Sequence, residues 1–226
     1  MQAPDLSLES QLALSCGGTL IAGMDEVGRG ALAGPVAVGV AAVDIAVAVP
    51  LEGLRDSKKL TARQRERLTL AIPAWAATAV GFASAEEIDT YGLSAALGLA
   101  GRRAWHELVS VSGAVPRGVV LDGNSQWLLA APGALCEQLS PMEAQTVLQT
   151  KADALCSTVS AAAITAKVAR DALMVDLAQQ YPDYGWDRNK GYGSAAHRES
   201  LTTLGVTPYH RRSWNLVPQQ LQPRLL

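Results

Sequence analysis

Asp25 and Glu26 are adjacent carboxylates at the end of an apolar, strand-like run, Thr19 to Met24, and Gly28-Arg29-Gly30 follows almost at once. Carboxylate oxygens are the donors that hard divalent cations such as Mg²⁺ prefer. An Arg between two glycines offers a fork of donors to a phosphate. The combination points to metal-dependent chemistry on a phosphate ester. Two more carboxylates sit at element boundaries. Asp122 closes the run Val119-Val120-Leu121 and precedes Gly123-Asn124, and Asp153 lies in Lys151-Ala152-Asp153, just ahead of a long helical pattern. Carboxylates converging from the ends of neighbouring strands can hold two divalent ions. One ion then activates a water and the other stabilises the leaving oxygen of an in-line displacement. Taken alone, an Asp-Glu pair is more often a strand exit with solvated charges. Neighbouring side chains of a regular strand face opposite ways, so a shared site requires the strand to end at the pair. Gly28 and Gly30 permit that turn.

Other chemistries are poorly served. The chain has 226 residues, 49% of them hydrophobic, enough to bury one good core. Cys16, Cys136 and Cys156 form no Cys-x-x-Cys pair, so neither a disulfide framework nor a cysteine zinc site is expected, and a reducing cytoplasm fits. No His/Cys cluster suits zinc, no Gly-x-Ser-x-Gly elbow occurs, and the glycine run lacks the Gly-x-Gly-x-x-Gly spacing of dinucleotide sites. Met1 to Leu20 carries no basic residue and does not read as a secretory signal. The apolar stretch Ala31 to Leu51 is broken by Gly34, Pro35, Gly39, Asp44 and Pro50, so no membrane span is expected.

Net charge is −2, but its distribution is uneven. Residues 55–67 hold six basic side chains (Arg55, Lys58, Lys59, Arg63, Arg65, Arg67) against Asp56 and Glu66. Residues 188–212 hold five (Arg188, Lys190, Arg198, Arg211, Arg212) against Glu199, with His197 and His210 beside them. Such patches suit a phosphate backbone and equally suit solvated helix faces.

The elements that must position these residues follow from pattern. Strands are expected near 18–25, 35–44, 76–83, 119–121 and 146–149. Helices are expected at about 61–72 with Thr61 as N-cap, 84–109 opened by a Ser84–Glu87 capping box, 157–180, and 194–204 ending at Gly205. Strands first and helices interleaved later make a mixed α/β sheet with helices packed on it.

Four motifs in order then complete the reading: Asp25-Glu26-Val27-Gly28-Arg29-Gly30, Asp56-Ser57-Lys58-Lys59-Leu60, Leu121-Asp122-Gly123-Asn124 and Ala166-Lys167-Val168-Ala169-Arg170-Asp171. Asn189-Lys190-Gly191-Tyr192-Gly193 and His210-Arg211-Arg212-Ser213 add two more. With these the chain resembles ribonuclease HII, the bacterial type 2 ribonuclease H, from about residue 20 to 217. The resemblance implies a ribonuclease H-like mixed sheet flanked by helices, with a catalytic domain at 18–180. A small helical C-terminal segment, 181–226, would pack on it and contact substrate. It implies cleavage of the RNA strand of RNA–DNA hybrids, and incision at single ribonucleotides in duplex DNA in ribonucleotide excision repair. Cleavage would be a two-metal (Mg²⁺ or Mn²⁺) hydrolysis leaving 3′-OH and 5′-phosphate ends. Asp25, Glu26, Asp122 and Asp153 would be the catalytic metal ligands. The Gly28-Arg29-Gly30 backbone would read the ribose 2′-hydroxyl, which distinguishes RNA from DNA. Tyr192 would pack on the next sugar, and Lys58, Lys59, Lys190 and Arg212 would grip phosphates.

Several positions carry plainer expectations. His197 and His210 read as structural or phosphate-adjacent, an Arg170–Asp171 pair as a helix brace, and Trp75, Trp105 and Trp127 as core or cover. Ala163 and Ala152 stand where the family usually has Ser and Gly. Residues 125–150 are longer than the family's usual connection, and would either project a loop near substrate or lie on the surface. The leucine-rich tail Leu221 to Leu226 is a candidate contact for a replication sliding clamp.

Overall fold

The chain alternates short apolar strands with helices that carry one apolar face. The computed structural model describes residues 3–216, the side chain of Lys58 excepted. In chain order the elements are α1 (Ser7–Cys16), β1 (Leu20–Val27), β2 (Val36–Asp44), α2 (Ala62–Trp75), β3 (Ala77–Ala83), α3 (Ala85–Tyr91), α4 (Leu93–Ser112), β4 (Gly118–Asp122), α5 (Gly133–Cys136), β5 (Gln145–Gln149), α6 (Ser157–Gln180), α7 (Trp186–Asn189) and α8 (Ala195–Leu204). The strands form one sheet in the order β3-β2-β1-β4-β5. β3, β2 and β1 are antiparallel, whereas β1, β4 and β5 run parallel. This is the mixed, helix-flanked sheet of the ribonuclease H-like fold.

The period-2 alternation sorts the sheet into two faces. Ala22, Met24, Val38, Val40, Val119 and Leu121 pack with Leu97, Ala100, Ala104 and Trp105 of α4. Ile21 and Val120 pack with Leu12 of α1 and Val159 of α6, and Ala41 and Val43 with Ala161 and Ile164 of α6. Asp25 and Asp122 continue the second set, so both carboxylates belong to the face covered by α6. Gly23 lets α6 come down onto the sheet there: a Cβ on Gly23 would lie 2.4 Å from the Val159 amide nitrogen.

Local signals place most boundaries. Thr61 and Ser84 both form the reciprocal capping box with Gln64 and Glu87. Three expectations change. The helix expected over 84–109 is two helices, because Gly92 at φ 80°, ψ 161° breaks it. β1 does not end at Asp25; it pairs with β2 through Val27, while its parallel pairing with β4 stops at Met24–Leu121. Within 125–150, the stretch ahead of β5 is anchored on α4 rather than projecting freely: Arg102 donates to the Ser140 carbonyl (3.0 Å), the Trp105 indole to Pro141 (3.0 Å), and Trp127 and Leu128 are buried.

The sequence reading assigns no element before residue 18, yet α1 is built into the core. Glu9 is fully buried, and its Oε1 accepts from the Thr158 amide (2.9 Å) and hydroxyl (2.8 Å), capping the first turn of α6 across 149 residues. Asp5 bridges Cys156 in parallel, exchanging backbone hydrogen bonds with Leu155 and Ser157. The N-terminal segment thus clamps the stretch that carries Asp153. Glu9→Ala leaves the Thr158 donors buried without an acceptor, and should cost about 1–3 kcal/mol of stability in denaturant titration.

Candidate active site

The carboxylates gather where β1 loses its β4 partner. Asp25, 9% exposed, accepts from the Glu26 amide through Oδ1 at 2.8 Å. Asp122 at the end of β4 accepts from the Ala152 amide at 2.6 Å, tying β4 to the short 3₁₀ turn Ala152–Ala154 in which Asp153 is buried. Burial first, and then the charges of Glu26, Asp122 and Asp153, hold the Asp25 carboxyl well above the usual carboxylate range. Glu26 is raised as well, by burial and by Asp122, against the pull of Arg29. All four predicted carboxylates therefore share one electrostatic site. Glu26 joins it although it alternates to the opposite face from Asp25, because no strand covers the β4 side of the ladder at that point.

Ala152 keeps the one backbone donor Asp122 needs, and positive φ falls on Lys151 (58°) rather than on Ala152, so alanine there costs nothing conformationally. Ala163 is fully buried in α6.

Beside the carboxylates, the Gly28–Gly30 turn rests on two arginines whose role the motif reading missed. Arg211, fully buried, donates to the carbonyls of Gly28 (2.7 Å), Arg29 (2.9 Å) and Gly34 (3.1 and 3.2 Å). Arg170, also fully buried, donates to Pro35 (2.8 Å), Lys190 (3.0 Å) and Ala33 (3.2 Å). Burial pushes both guanidiniums below their ordinary range. Asp171 is held by Lys167 at 2.7 Å, so the expected Arg170–Asp171 brace is instead a Lys167–Asp171 pair. Gly28 (φ 88°) has no room for a side chain, since a Cβ would meet Arg170 Nε at 2.1 Å. The chain signal for these arginines was present but ambiguous, because a buried Arg and a surface Arg read alike within a basic run.

The remaining predicted contacts spread around this centre. Tyr192 is 38% exposed, with the Arg170 guanidinium carbon 5.6 Å from its ring centroid. Lys190 sits at φ 51° with its ammonium on the Asp187 carbonyl. Arg29 pairs with Glu26 at 3.4 Å, so its side chain leans toward the carboxylates. Lys59 pairs with Asp56 at 3.6 Å. Lys58 lies in the turn Ser57–Lys59, and its side chain is outside the described residues. Arg212 is exposed, and its amide and that of Ser213 donate to Asp89 (2.8 and 3.0 Å). The tail Leu221 to Leu226 lies outside the described residues. Arg211 therefore leaves the second basic patch for the interior.

His197 and His210 are structural. The Thr207 amide donates to His210 Nδ1 (2.9 Å), which leaves the proton on His210 Nε2, 3.1 Å from His197 Nε2. His197 Nε2 also accepts from the Trp186 indole (3.1 Å), so its own proton sits on Nδ1 and reaches the Tyr192 carbonyl at 2.9 Å. Both rings are neutral in this network. Trp105 and Trp127 are buried, and Trp75 donates to the Val49 carbonyl at 2.7 Å, as core and cover residues should.

The donor set fits Mg²⁺ or Mn²⁺: four carboxylates, with no thiolate or imidazole among them. Glu26 Oε2 is buried without a hydrogen-bond partner among the described residues, an acceptor that a cation would satisfy. Among the described residues no three acidic, His or Cys side chains close on one point as a finished chelate. The site is a repelling carboxylate cluster into which cations would have to be drawn.

Known proteins resemble this chain over most of its length. The family described as Ribonuclease HII matches residues 22–217. A relative from Ruegeria sp. (strain TM1040) called Ribonuclease HII is 48% identical over 217 residues, covering 96% of this chain and 86% of its own length. The solved ribonuclease H2 of Pyrococcus horikoshii OT3 superposes with a TM-score of 0.69 at 29% identity, covering 89% of this chain and 96% of that one. A PCNA:RNase HII complex from Archaeoglobus fulgidus contains a chain with TM-score 0.64 and 25% identity, covering 88% of this chain and 97% of that one.

Two outcomes follow from the electrostatics. Asp25→Asn removes one of four crowded charges, so the metal-free variant should melt about 2–4 °C above wild type in calorimetry, roughly 1 kcal/mol. His197 and His210 have folded-state values below the ordinary 6.5, His210 at about 4, by burial first and then by neighbouring charge. The unfolded chain binds more protons there, so their contribution to stability is present above pH 6.5 and lost as pH falls toward 4. Between pH 7 and 4 the urea midpoint of wild type should lose ground relative to that of His210→Gln, which lacks one of these histidines.

Proposed function

The chain belongs to the ribonuclease HII family and is a nuclease, and on that premise we propose that it incises one strand of a duplex at ribonucleotides. Its substrates would be RNA–DNA hybrids and duplex DNA carrying single embedded ribonucleotides, with 3′-OH and 5′-phosphate products. The observation that carries this reading is the shared site of Asp25, Glu26, Asp122 and Asp153 beside the Gly28–Gly30 turn.

When bound, two Mg²⁺ or Mn²⁺ ions would supply a nucleophilic water and stabilise the leaving oxygen. The chain's own residues do the rest. Asp25, Glu26, Asp122 and Asp153 would hold the cations. Asp122 is fixed by the Ala152 amide, so the β4 end and the turn carrying Asp153 move together. Backbone groups of the Gly28–Gly30 turn engage the ribose 2′-hydroxyl. Tyr192, half-exposed over Arg170, lies against the following sugar, where a second 2′-hydroxyl would be crowded. Lys58, Lys59, Lys190 and Arg212 take phosphates on either side, and such contacts position the duplex without reading sequence. Residues 18–180 serve as the catalytic unit and 181–226 as the substrate-contacting segment. A substrate of chromosomal DNA and free cysteines at 16, 136 and 156 suit the cytoplasm. Among the described residues no helix is long and apolar enough to cross a membrane. The tail Leu221 to Leu226 would contact a sliding clamp, as a reading supported by the PCNA complex of a similar chain.

The test is incision of a duplex with one ribonucleotide, with Mn²⁺ or Mg²⁺ and with EDTA. Wild type should cut only with metal, and Asp25→Asn should lose about 100-fold or more, since a metal's transition-state stabilisation is worth several kcal/mol. Binding without incision under all metal conditions would mark a hybrid-binding protein instead, and equal activity in the variant would displace the site.

A further inference from the structure

Among the described residues no carboxylate lies within ion-pair distance of the two buried arginines, and Asp171 and Asp89 act on them only from farther off. Neither Arg170 nor Arg211 makes an ion pair among the described residues, and every hydrogen bond they make ends on a main-chain carbonyl. Burying a cation without a counter-ion is costly unless dipoles replace its hydration. Here six carbonyls do so, drawn from three separate stretches: Gly28 and Arg29, Ala33 to Pro35, and Lys190. The stretches are further laced by the backbone. The amides of Leu32 and Ala33 donate to Gly191, at 2.8 and 3.2 Å, and the Arg211 amide donates to Leu32 at 3.0 Å.

The consequence lies in peptide planarity. A carbonyl and the next residue's N–H share one plane and point in opposite directions. With the Gly28 and Arg29 carbonyls turned inward onto Arg211, the amides of Arg29 and Gly30 are turned outward. Both residues are exposed, and neither amide donates a hydrogen bond within the described residues. Arg170 acts likewise on the neighbouring loop, holding the Lys190 carbonyl and lying beneath the Tyr192 ring. Because Arg170 binds Ala33 and Pro35 and Arg211 binds Gly34 between them, the two loops hang on one support.

We infer that Arg211 and Arg170 are positioning residues for ribose selectivity, presenting the Arg29 and Gly30 amides and the Tyr192 ring as one rigid reader of a ribonucleotide and its neighbouring sugar. The inference rests on the ribonucleotide-incising reading above. Neither arginine touches substrate. A lysine cannot replace them, since one ammonium lacks the planar fork that spans several carbonyls.

The experiment measures duplex binding in an Asp25→Asn background, which keeps the substrate intact. Two duplexes of one sequence are compared, one with a single ribonucleotide and one all-DNA. Adding Arg211→Lys should weaken binding of the ribonucleotide duplex about tenfold, the size of one or two lost hydrogen bonds. Binding of the DNA duplex should not change, so the ratio falls toward one. A merely structural role would weaken both duplexes together, and that result overturns the inference. So does an unchanged ratio in a folded variant. If the parent itself does not distinguish the duplexes, the ribonucleotide reading fails along with the inference. Should Arg211→Lys not fold, Trp214→Leu provides the second arm, because Trp214 stacks on the Arg211 guanidinium at 4.8 Å and can be removed without burying a new charge. It should lower the ratio in the same direction and Trp214→Phe should restore it; an unaltered ratio in folded Trp214→Leu counts against the inference.

Discussion

The close seating of α6 on the sheet is the constraint from which the site follows. A Cβ at Gly23 would collide with the Val159 amide at 2.4 Å, and one at Gly39 would come 2.2 Å from the Ala162 carbonyl. Only two glycines on adjacent strands permit that contact. It sets the N-terminal end of α6, and the turn holding Asp153 ahead of it, against the strand that carries Asp25. The same straight helix then delivers Arg170, more than three turns later, beneath Gly28. One element therefore places both the turn that carries Asp153 and the guanidinium beneath Gly28, so the two positions are coupled.

This arrangement concentrates unlike charges in separate compartments. Four carboxylates crowd one end of the β1–β4 junction, and two guanidiniums sit a few residues further along without meeting them. Each group is unfavourable by itself, since like charges in a poorly solvated place repel. The negative group is eased by the raised proton affinity of Asp25 and Glu26. The positive group is compatible with folding because main-chain dipoles surround it. Strain of this kind is expected where a protein holds chemistry rather than where it only packs.

Much of this was legible in the chain, and the omissions have physical causes. The capping boxes at Thr61 and Ser84, the strand alternation and the carboxylates at element ends are local signals, and the sheet with its flanking helices follows from them. Asp25 and Asp122 share a face by simple alternation. Glu26 defied that rule: the sequence implied that the strand must end at the pair, whereas the ladder continues on one side and stops on the other. Strand pairing on two edges is not a property of one segment. Arg170 and Arg211 were hidden for a similar reason. Charge density marks a basic run, but whether an arginine faces water or main-chain carbonyls depends largely on backbone brought in from residues more than a hundred positions away. Glu9 was invisible because its partner, Thr158, lies 149 residues downstream.

That last separation bears on how the protein is made. During synthesis α1 leaves the ribosome early, but Glu9 finds no donor until Thr158 has also emerged. At typical elongation rates of about 5–20 residues per second, 149 residues correspond to roughly 7–30 s. For much of that interval Asp25 and Glu26 have been made while β4 and β5 have not. The parallel pairing of β1 with β4 imposes a shorter delay of its own, since no hairpin can bring those strands together. The carboxylate cluster therefore cannot assemble from its early half, Asp25 and Glu26, until Asp153, about two thirds of the way along the 226 residues, has also been made.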